Sequence, residues 1–201
     1  MEFKKIQLNG FKSFAEKTNF LIEDGLTGIV GPNGCGKSNI VESLRWVMGE
    51  TSAKSMRGSG MEDVIFSGTS NKASKNIAEV SISVANQNNE GPVQFRELDE
   101  VNVRRKIEKD KGSKFYINDK EVRARDAQMF FADLSTGAHS PSMISQGRIG
   151  ALVTAKPTDR RAILEEAAGI SGLHVRRHEA ELRLSAAENN LKRADELRRQ
   201  Q

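Results

Sequence analysis

Cysteine and long apolar runs are scarce in this sequence of 201 residues. Cys35 is the only cysteine, which excludes an internal disulfide and makes a cysteine-based metal cluster implausible. No signal-like apolar stretch follows Met1, and no run approaches the roughly 18 apolar residues that a membrane-spanning helix needs. We therefore expect a cytoplasmic protein with no membrane partner.

The composition is polar for a compact globule, with 37% hydrophobic and 29% charged residues. This balance predicts a globular part joined to a solvated, charge-rich part. The net charge is only +4, but residues 101–125 hold nine Lys or Arg against four Asp or Glu. Such a basic surface could meet nucleic acid phosphates, and a solvated hairpin without a partner would carry the same charges.

The first fifty residues predict a strand, a glycine loop and a helix. Alternating Phe3, Ile6 and Leu8 predict an edge strand, and apolar residues 26–30 predict a buried strand before the loop. Apolar residues recur at helical spacing over residues 37–48, and Gly49 ends the pattern. A phosphate loop requires this order of elements.

Further elements follow from alternation, turn residues and helical spacing. We predict a short strand at 64–66, a strand at 78–87, a hairpin at 104–122 turning at Asp-Lys-Gly, a helix at 124–134, a loop at 139–150, and a helix opening at Pro157 with Thr158 as N-cap.

The end of the sequence changes character, since no glycine, proline or aromatic residue follows Gly172. Five apolar residues recur at alternating steps of four and three, a heptad seam: Ala180, Leu184, Ala187, Leu191 and Ala194. Three heptads are marginal as an isolated helix. We expect a head at residues 1–170 and the root of a coiled coil at 171–201, with the pattern continuing beyond Gln201.

Residues 31–39, GPNGCGKSN, match the phosphate-loop pattern G-x-x-x-x-G-K-[ST]. Gly31, Gly34 and Gly36 let backbone N–H groups converge on phosphate oxygens. Lys37 is expected to supply a point charge to the β and γ phosphates of a nucleotide, and the Ser38 hydroxyl to bind Mg²⁺ at the start of the helix. The pattern therefore predicts a site for a nucleotide and Mg²⁺.

The other half of a hydrolytic site is harder to find. Such a site needs a carboxylate for Mg²⁺ at the end of a buried strand. Asp133 in MFFAD is the one candidate, but this segment also scans as a helix. LSTG at 134–137 only partly matches the LSGG signature of ABC ATPases. Cys35 could be a redox switch or simply a small residue tolerated in the loop.

Several motifs together resemble the N-terminal head segment of the SMC family, the ATPases of structural maintenance of chromosomes. They run in the family order over nearly all of residues 1–180: FKSF, GPNGCGKSNIVESLRWVMGE, MRGSGMEDVIFSG, SMISQGRI and RRAILEEAAGI. The resemblance implies an α/β fold, a P-loop NTPase with an ABC-ATPase-like head, of which this would be the N-terminal half leading into a long coiled-coil helix. The prokaryotic chromosome-partition members are the nearest in spacing.

The resemblance also implies partners. The missing carboxylate, signature and catalytic Glu would come from the protein's own C-terminal head half, folded back by an antiparallel coiled coil. A homodimer would form through a hinge and through heads engaged by ATP. A kleisin subunit would dock on the coiled-coil root from about Leu173, and DNA would be the substrate that the motor organises.

Site residues carry over from the resemblance by position. The phosphates would be bound by Pro32, Asn33, Gly34, Cys35, Gly36, Lys37, Ser38 and Asn39. Lys37 and Gln146 would be catalytic, with Ser38 and Gln146 at Mg²⁺. Lys12 and Ser13 would lie near the nucleotide, and Arg57 would link DNA to hydrolysis.

The basic region supplies the candidates for DNA contact: Arg104, Arg105, Lys109, Lys111 and Lys114. Gln146 lies much farther from Ser38 than in ABC transporter domains, which disfavours transport. We expect an ATP-driven motor for chromosome condensation and segregation, associated with the nucleoid, and a fragment nearly inactive alone. The alternatives are an SMC-like DNA-repair ATPase of the RecN or double-strand-break type, a self-contained P-loop NTPase or kinase using Asp133, and a structural coiled-coil protein.

Overall fold

A computed structural model describes residues 1–86, 92–134, 143, 153–168 and 171–200. Its six strands form one antiparallel sheet in the order β2-β1-β3-β4-β5-β6. The strands are β1 Glu2–Asn9, β2 Thr18–Leu21, β3 Ile77–Ala85, β4 Glu100–Glu108, β5 Gly112–Ile117 and β6 Lys120–Val122. The helices are α1 Lys37–Val47, α2 Ala124–Asp133, α3 Pro157–Ala167 and α4 Ser171–Gln200.

One face of this sheet carries the core. Along β3 and β4 every second residue is buried, including Val80, Ile82 and Val103, as the alternating sequence predicts. Helix α1 packs on this face through Ile40, Val47 and the fully buried Trp46, whereas the opposite face of the sheet is polar. The helix that bears the phosphate loop is thereby anchored to the sheet.

The predicted strand at β1 forms but is not an edge strand. It pairs with β2 on one side and with β3 on the other, which buries Ile6 and Leu8. The edge prediction was wrong because β2, which shows too few apolar residues to be noticed, covers β1.

The predicted hairpin and the helix at α2 are confirmed. β4 and β5 pair across a turn in which Asp110 and Gly112 have φ of 62° and 82°, the left-handed region that Gly adopts freely and Asp tolerates. Helix α2 ends at Asp133. Since Asp133 does not end a buried strand, it lacks the setting expected of a Mg²⁺ carboxylate.

Two short predicted strands are wrong. Residues 26–30 form no strand, and Leu26 and Val30 are almost fully exposed, because no strand that the structure describes pairs with them. Residues 61–64 form a 3-10 helix, Met61–Val64, with only a single bridge from Ile65 to Phe11 after it. The Asp63 carboxylate accepts the backbone N–H groups of Ser59 and Gly60, which turns the chain there.

The C-terminal helices match the predicted pattern, except at one cap. Helix α3 begins at Pro157, so Thr158 lies inside its first turn and is not the N-cap. Helix α4 is one continuous helix of 30 residues on which Leu184 and Leu191 of the heptad seam are exposed. The predicted loop at 139–150 falls outside the described residues apart from Met143. None of the described helices combines the length and apolar character of a membrane span.

Candidate nucleotide-binding site

The predicted phosphate loop is an exposed segment that leads directly into α1. Gly34 and Gly36 have φ of 82° and 92°, which side chains rarely adopt. A Cβ at Gly36 would also lie 2.5 Å from Ser13 Oγ, so glycine is required there for space as well. No side chain caps α1 at Gly36. N–H groups at a helix start without a side-chain cap can bind an anion, and phosphate binding at the start of α1 stays a prediction.

Lys37 folds back over the loop. Its Nζ donates to the carbonyl oxygens of Gly31 and Pro32 at 2.5 and 2.6 Å and lies 3.7 Å from Cys35 Sγ. These partners carry no formal charge, so a phosphate oxygen forms a stronger, charge-assisted bond with the same ammonium. Cys35 is exposed beside Lys37. Its role as a redox group or as a small tolerated side chain stays a prediction.

Ser13 connects the phosphate loop to the turn after β1. Asn39 Nδ2 donates to Ser13 Oγ at 2.9 Å, and Phe11 and Phe14 exchange two backbone hydrogen bonds around Ser13. The structure thus brings Ser13 against the first turn of α1.

Lys12, which precedes Ser13 in the same turn, pairs with the carboxylate of Glu42, a residue that the sequence analysis did not single out. Glu42 on α1 is 8% exposed and forms ion pairs with both Lys12 and Arg57. Lys12 Nζ also donates to the carbonyl oxygen of Met56. The sequence showed only that Glu42 is a carboxylate on the helix after the phosphate loop. It could not show the ion pairs, because Lys12 and Arg57 are both distant from Glu42 in the chain.

Arg105 lies in the core, so its prediction as a DNA contact was wrong. It is 3% exposed and sits between the rings of Trp46 and Phe115, 4.5 and 4.6 Å from their centroids. Its Nη1 donates to the carbonyl oxygens of Trp46 and Glu50 at 2.7 Å each, and its Nε donates to Ser113 Oγ. Burial lowers the pKa of Arg105 to about 10, against the opposing charge of Glu50. Arg105 binds carbonyls at the C-terminal end of α1.

Arg104 lies on the opposite, polar face of β4 and is therefore better placed than Arg105 for contact with a ligand such as DNA. Its guanidinium lies over the Tyr116 ring and pairs with Glu79 at 3.3 Å and Asp119 at 3.1 Å. The exposed Lys111 and Lys114 pair with Glu108 and Glu121, and Lys109 is exposed at the hairpin turn. Acidic neighbours thus offset part of this basic charge, and contact of these residues with DNA stays a prediction.

The structure describes only some of the residues predicted to bind Mg²⁺. Gln146 lies outside the described residues. Among the residues that are described, no group of three or more His, Cys, Asp or Glu side chains is arranged to hold a metal ion. Ser38 lies at the start of α1, and its hydroxyl is an oxygen of the kind that Mg²⁺ prefers, so its role as a Mg²⁺ ligand stays a prediction.

Comparison with known proteins gives consistent results. The family described as RecF/RecN/SMC N terminal domain matches residues 2–149. Chromosome partition protein Smc of Cereibacter sphaeroides is 56% identical over 197 residues, which cover 98% of this chain and 17% of that protein. The Smc of Rhodopseudomonas palustris is 54% identical with the same coverage.

Solved structures share the fold. The Smc head bound to the C-winged helix domain of ScpA superposes with a TM-score of 0.78 at 31% identity. The match covers 85% of this chain and 52% of that one. The Pyrococcus furiosus Smc head with an extended coiled coil gives 0.77 at 32% identity, covering 98% and 49%. The predicted fold class, an ABC-ATPase-like P-loop head leading into a coiled-coil helix, is confirmed.

Proposed function

Because this chain belongs to the RecF/RecN/SMC N-terminal domain family, we propose that it is the ATP-binding half of a chromosome-partition SMC head. Two relatives above 50% identity are chromosome partition proteins, which favours this function over a DNA-repair ATPase. The chain spans 17% of the length of these relatives. The activity of the whole protein, chromosome condensation and segregation driven by ATP, is therefore part of the proposal.

The observation that carries the proposal is an unpaired apolar segment directly before the phosphate loop. Leu26 and Val30 are 101% and 94% exposed, and Ile29 is 46% exposed. Burying a side chain of this kind contributes roughly 1.5–3 kcal/mol, so a partner strand beside residues 26–30 would be strongly favoured. The C-terminal half of the same head is that partner, and it supplies the Mg²⁺ carboxylate, the signature and the catalytic Glu.

The nucleotide is MgATP, which supplies the γ-phosphoryl group that is transferred to water. Lys37 and the N–H groups at the start of α1 bind and orient the phosphates, and Ser38 provides the hydroxyl oxygen for Mg²⁺. Pro32, Asn33 and Cys35 shape the loop around them. Gln146, by family analogy, orients the attacking water.

The protein partners are a kleisin subunit and a second copy. The solved Smc heads bound to domains of ScpA motivate the first, with docking at the coiled-coil root from Leu173 onward. A related structure described as ATP-driven dimerization of SMC ATPases motivates the second. The exposed Leu184 and Leu191 of α4 would pack against the second helix of the antiparallel coiled coil. DNA is contacted at Arg57 and at the solvent face of the hairpin, and the protein acts at the nucleoid in the cytoplasm.

Reconstitution of the divided site tests the proposal. The isolated chain should bind ATP weakly and turn over almost none, and adding the C-terminal head half should restore Mg²⁺-dependent hydrolysis. Lys37→Ala in the reconstituted head is the matched negative control. Strong turnover by the isolated chain would contradict the divided site, and turnover sensitive to Asp133→Ala would favour a self-contained NTPase.

A further inference from the structure

The C-terminal end of α1 is held by two side chains from separate parts of the fold. From β4, Arg105 Nη1 donates to the carbonyl oxygens of Trp46 and Glu50 at 2.7 Å each. From α2, Gln128 Nε2 donates to the carbonyl oxygen of Gly49 at 2.8 Å. We propose that Arg105 and Gln128 are positioning residues, which set the affinity for nucleotide by fixing α1 and hence the phosphate loop at its other end. This inference rests on the ATP-binding function proposed above.

Apolar packing alone does not fix α1 along its own axis. Ile40 and Val47 pack on the sheet, and contacts of this kind are non-directional, so small shifts of the helix change the buried area little. Hydrogen bonds depend on both distance and angle. The bonds from Arg105 and Gln128 to the carbonyl end of α1 therefore fix its axial position and its rotation.

Arg105 is a costly residue with which to fill space in the core. Burial disfavours its charged form and lowers its pKa to about 10. An apolar side chain of similar volume would fill the site between Trp46 and Phe115 at lower cost, but it would leave the carbonyl groups of α1 without this donor. Because Nε also donates to Ser113 Oγ at 2.7 Å, the plane of the guanidinium is fixed by the β4–β5 hairpin. Arg105 therefore links α1 to the hairpin in a defined orientation.

Gly49 and Gln128 approach each other too closely for any side chain at position 49. Gly49 has φ of 104°, and a Cβ there would lie 2.3 Å from Gln128 Cγ. Glycine thus permits both the turn after α1 and the contact with α2. Helix α2 is anchored in the core by the buried Phe130 and Phe131. Gln128 therefore holds the end of α1 from a fixed base.

The phosphate loop moves with α1 because it is exposed and continuous with the helix. Helix α1 begins at Lys37, the lysine of the loop. A helix of 11 residues is roughly 16 Å long, so a tilt of about 4° around its carbonyl end displaces the Lys37 end by about 1 Å. A misplacement of about 1 Å in a positioned group is enough to cost roughly a hundredfold in rate. Small changes at Arg105 or Gln128 are therefore expected to reach the nucleotide.

The nucleotide affinity of the folded full-length protein, measured apart from its stability, tests the positioning. Arg105→Lys keeps the charge but loses the planar fork, and Gln128→Ala removes the donor to Gly49 at an exposed side chain. The Kd for a fluorescent ATP analogue with Mg²⁺ should rise about fivefold or more in Arg105→Lys and about two- to threefold in Gln128→Ala. A thermal melt establishes that each titration is done on folded protein. A purely structural role would lower the melting temperature and leave the Kd of the folded protein unchanged, and that result overturns the proposal.

Two variants in the connection between β3 and β4 are the matched controls. Arg96→Lys and Gln94→Ala make the same substitutions at exposed side chains in or directly after the 3-10 helix Val93–Phe95. Neither should change the Kd, and a rise equal to that in Arg105→Lys and Gln128→Ala overturns the proposal. If Arg105→Lys fails to fold, Gln128→Ala decides the outcome, and an unchanged Kd in that variant overturns the proposal.

Lys37→Ala separates failure of this inference from failure of the proposed function. Loss of ATP turnover in Lys37→Ala, together with an unchanged Kd in Arg105→Lys and Gln128→Ala, refutes only the positioning. Retained turnover in Lys37→Ala refutes the proposed ATP site itself.

Discussion

Arg105 and Trp46 form a buried cation–π pair, with the guanidinium carbon 4.5 Å from the ring centroid and Nη1 bound to the Trp46 carbonyl oxygen. Arg105→Ala should therefore destabilise the chain by about 2–4 kcal/mol, since it leaves carbonyl groups without their donor and opens a cavity. Urea unfolding measures the loss. Arg104→Ala, on the solvent face of the same strand, is the matched control and should cost no more than about 1 kcal/mol. Equal losses would contradict the assignment of Arg105 to the core.

Gly36 is expected to tolerate no side chain. Gly36→Ala combines a φ of 92° with a contact of 2.5 Å to Ser13 Oγ, so it should displace the phosphate loop and lower ATP affinity about tenfold or more. Gly60→Ala is the control, because Gly60 has an extended backbone and open space around its Cα. Binding of a fluorescent ATP analogue to the reconstituted head measures both, and unchanged affinity in Gly36→Ala would show that the loop can adjust.

The sequence predicted what local patterns determine. The helical spacing after Lys37 and the turn residues Asp110 and Gly112 specified α1 and the hairpin, because both depend on neighbours in the chain. Even the burial of Arg105 was predictable, since it shares the period-two face of Val101 and Val103. The many basic residues between 101 and 125 led instead to the interpretation of Arg105 as a surface residue.

Sequence patterns could not predict the contacts between segments that are distant in the chain. Residues 26–30 carry the apolar character of a buried strand, but burial requires a partner that the described sheet does not provide. Glu42 meets Lys12 and Arg57 only through the tertiary fold. Neither relationship follows from spacing along one element.

The carboxylate of Asp63 should titrate below its ordinary pKa of 3.8. Hydrogen bonds from the N–H groups of Gly60 and Ser59 favour the charged form and lower the pKa of Asp63 in the folded state. The stabilisation of the loop is therefore complete above pH 3.8 and is lost as the pH falls through the lowered folded pKa. Carbon-13 NMR of the carboxyl group measures the midpoint, and Asp63→Asn identifies the signal. A midpoint at or above the ordinary value would exclude these hydrogen bonds in solution.

The exposed segment before the phosphate loop should govern assembly with the C-terminal head half. Leu26→Asp combined with Val30→Asp places two charges where apolar side chains would be buried, so the affinity between the halves should fall at least about a hundredfold. The fold of the chain itself should not change, because both side chains are almost fully exposed within it. Leu21→Asp, at a leucine 64% exposed in β2, is the control and should leave association intact. Calorimetric titration of one half with the other, together with circular dichroism of each variant, measures both effects. Association that survives the double substitution would mean that the partner strand docks elsewhere.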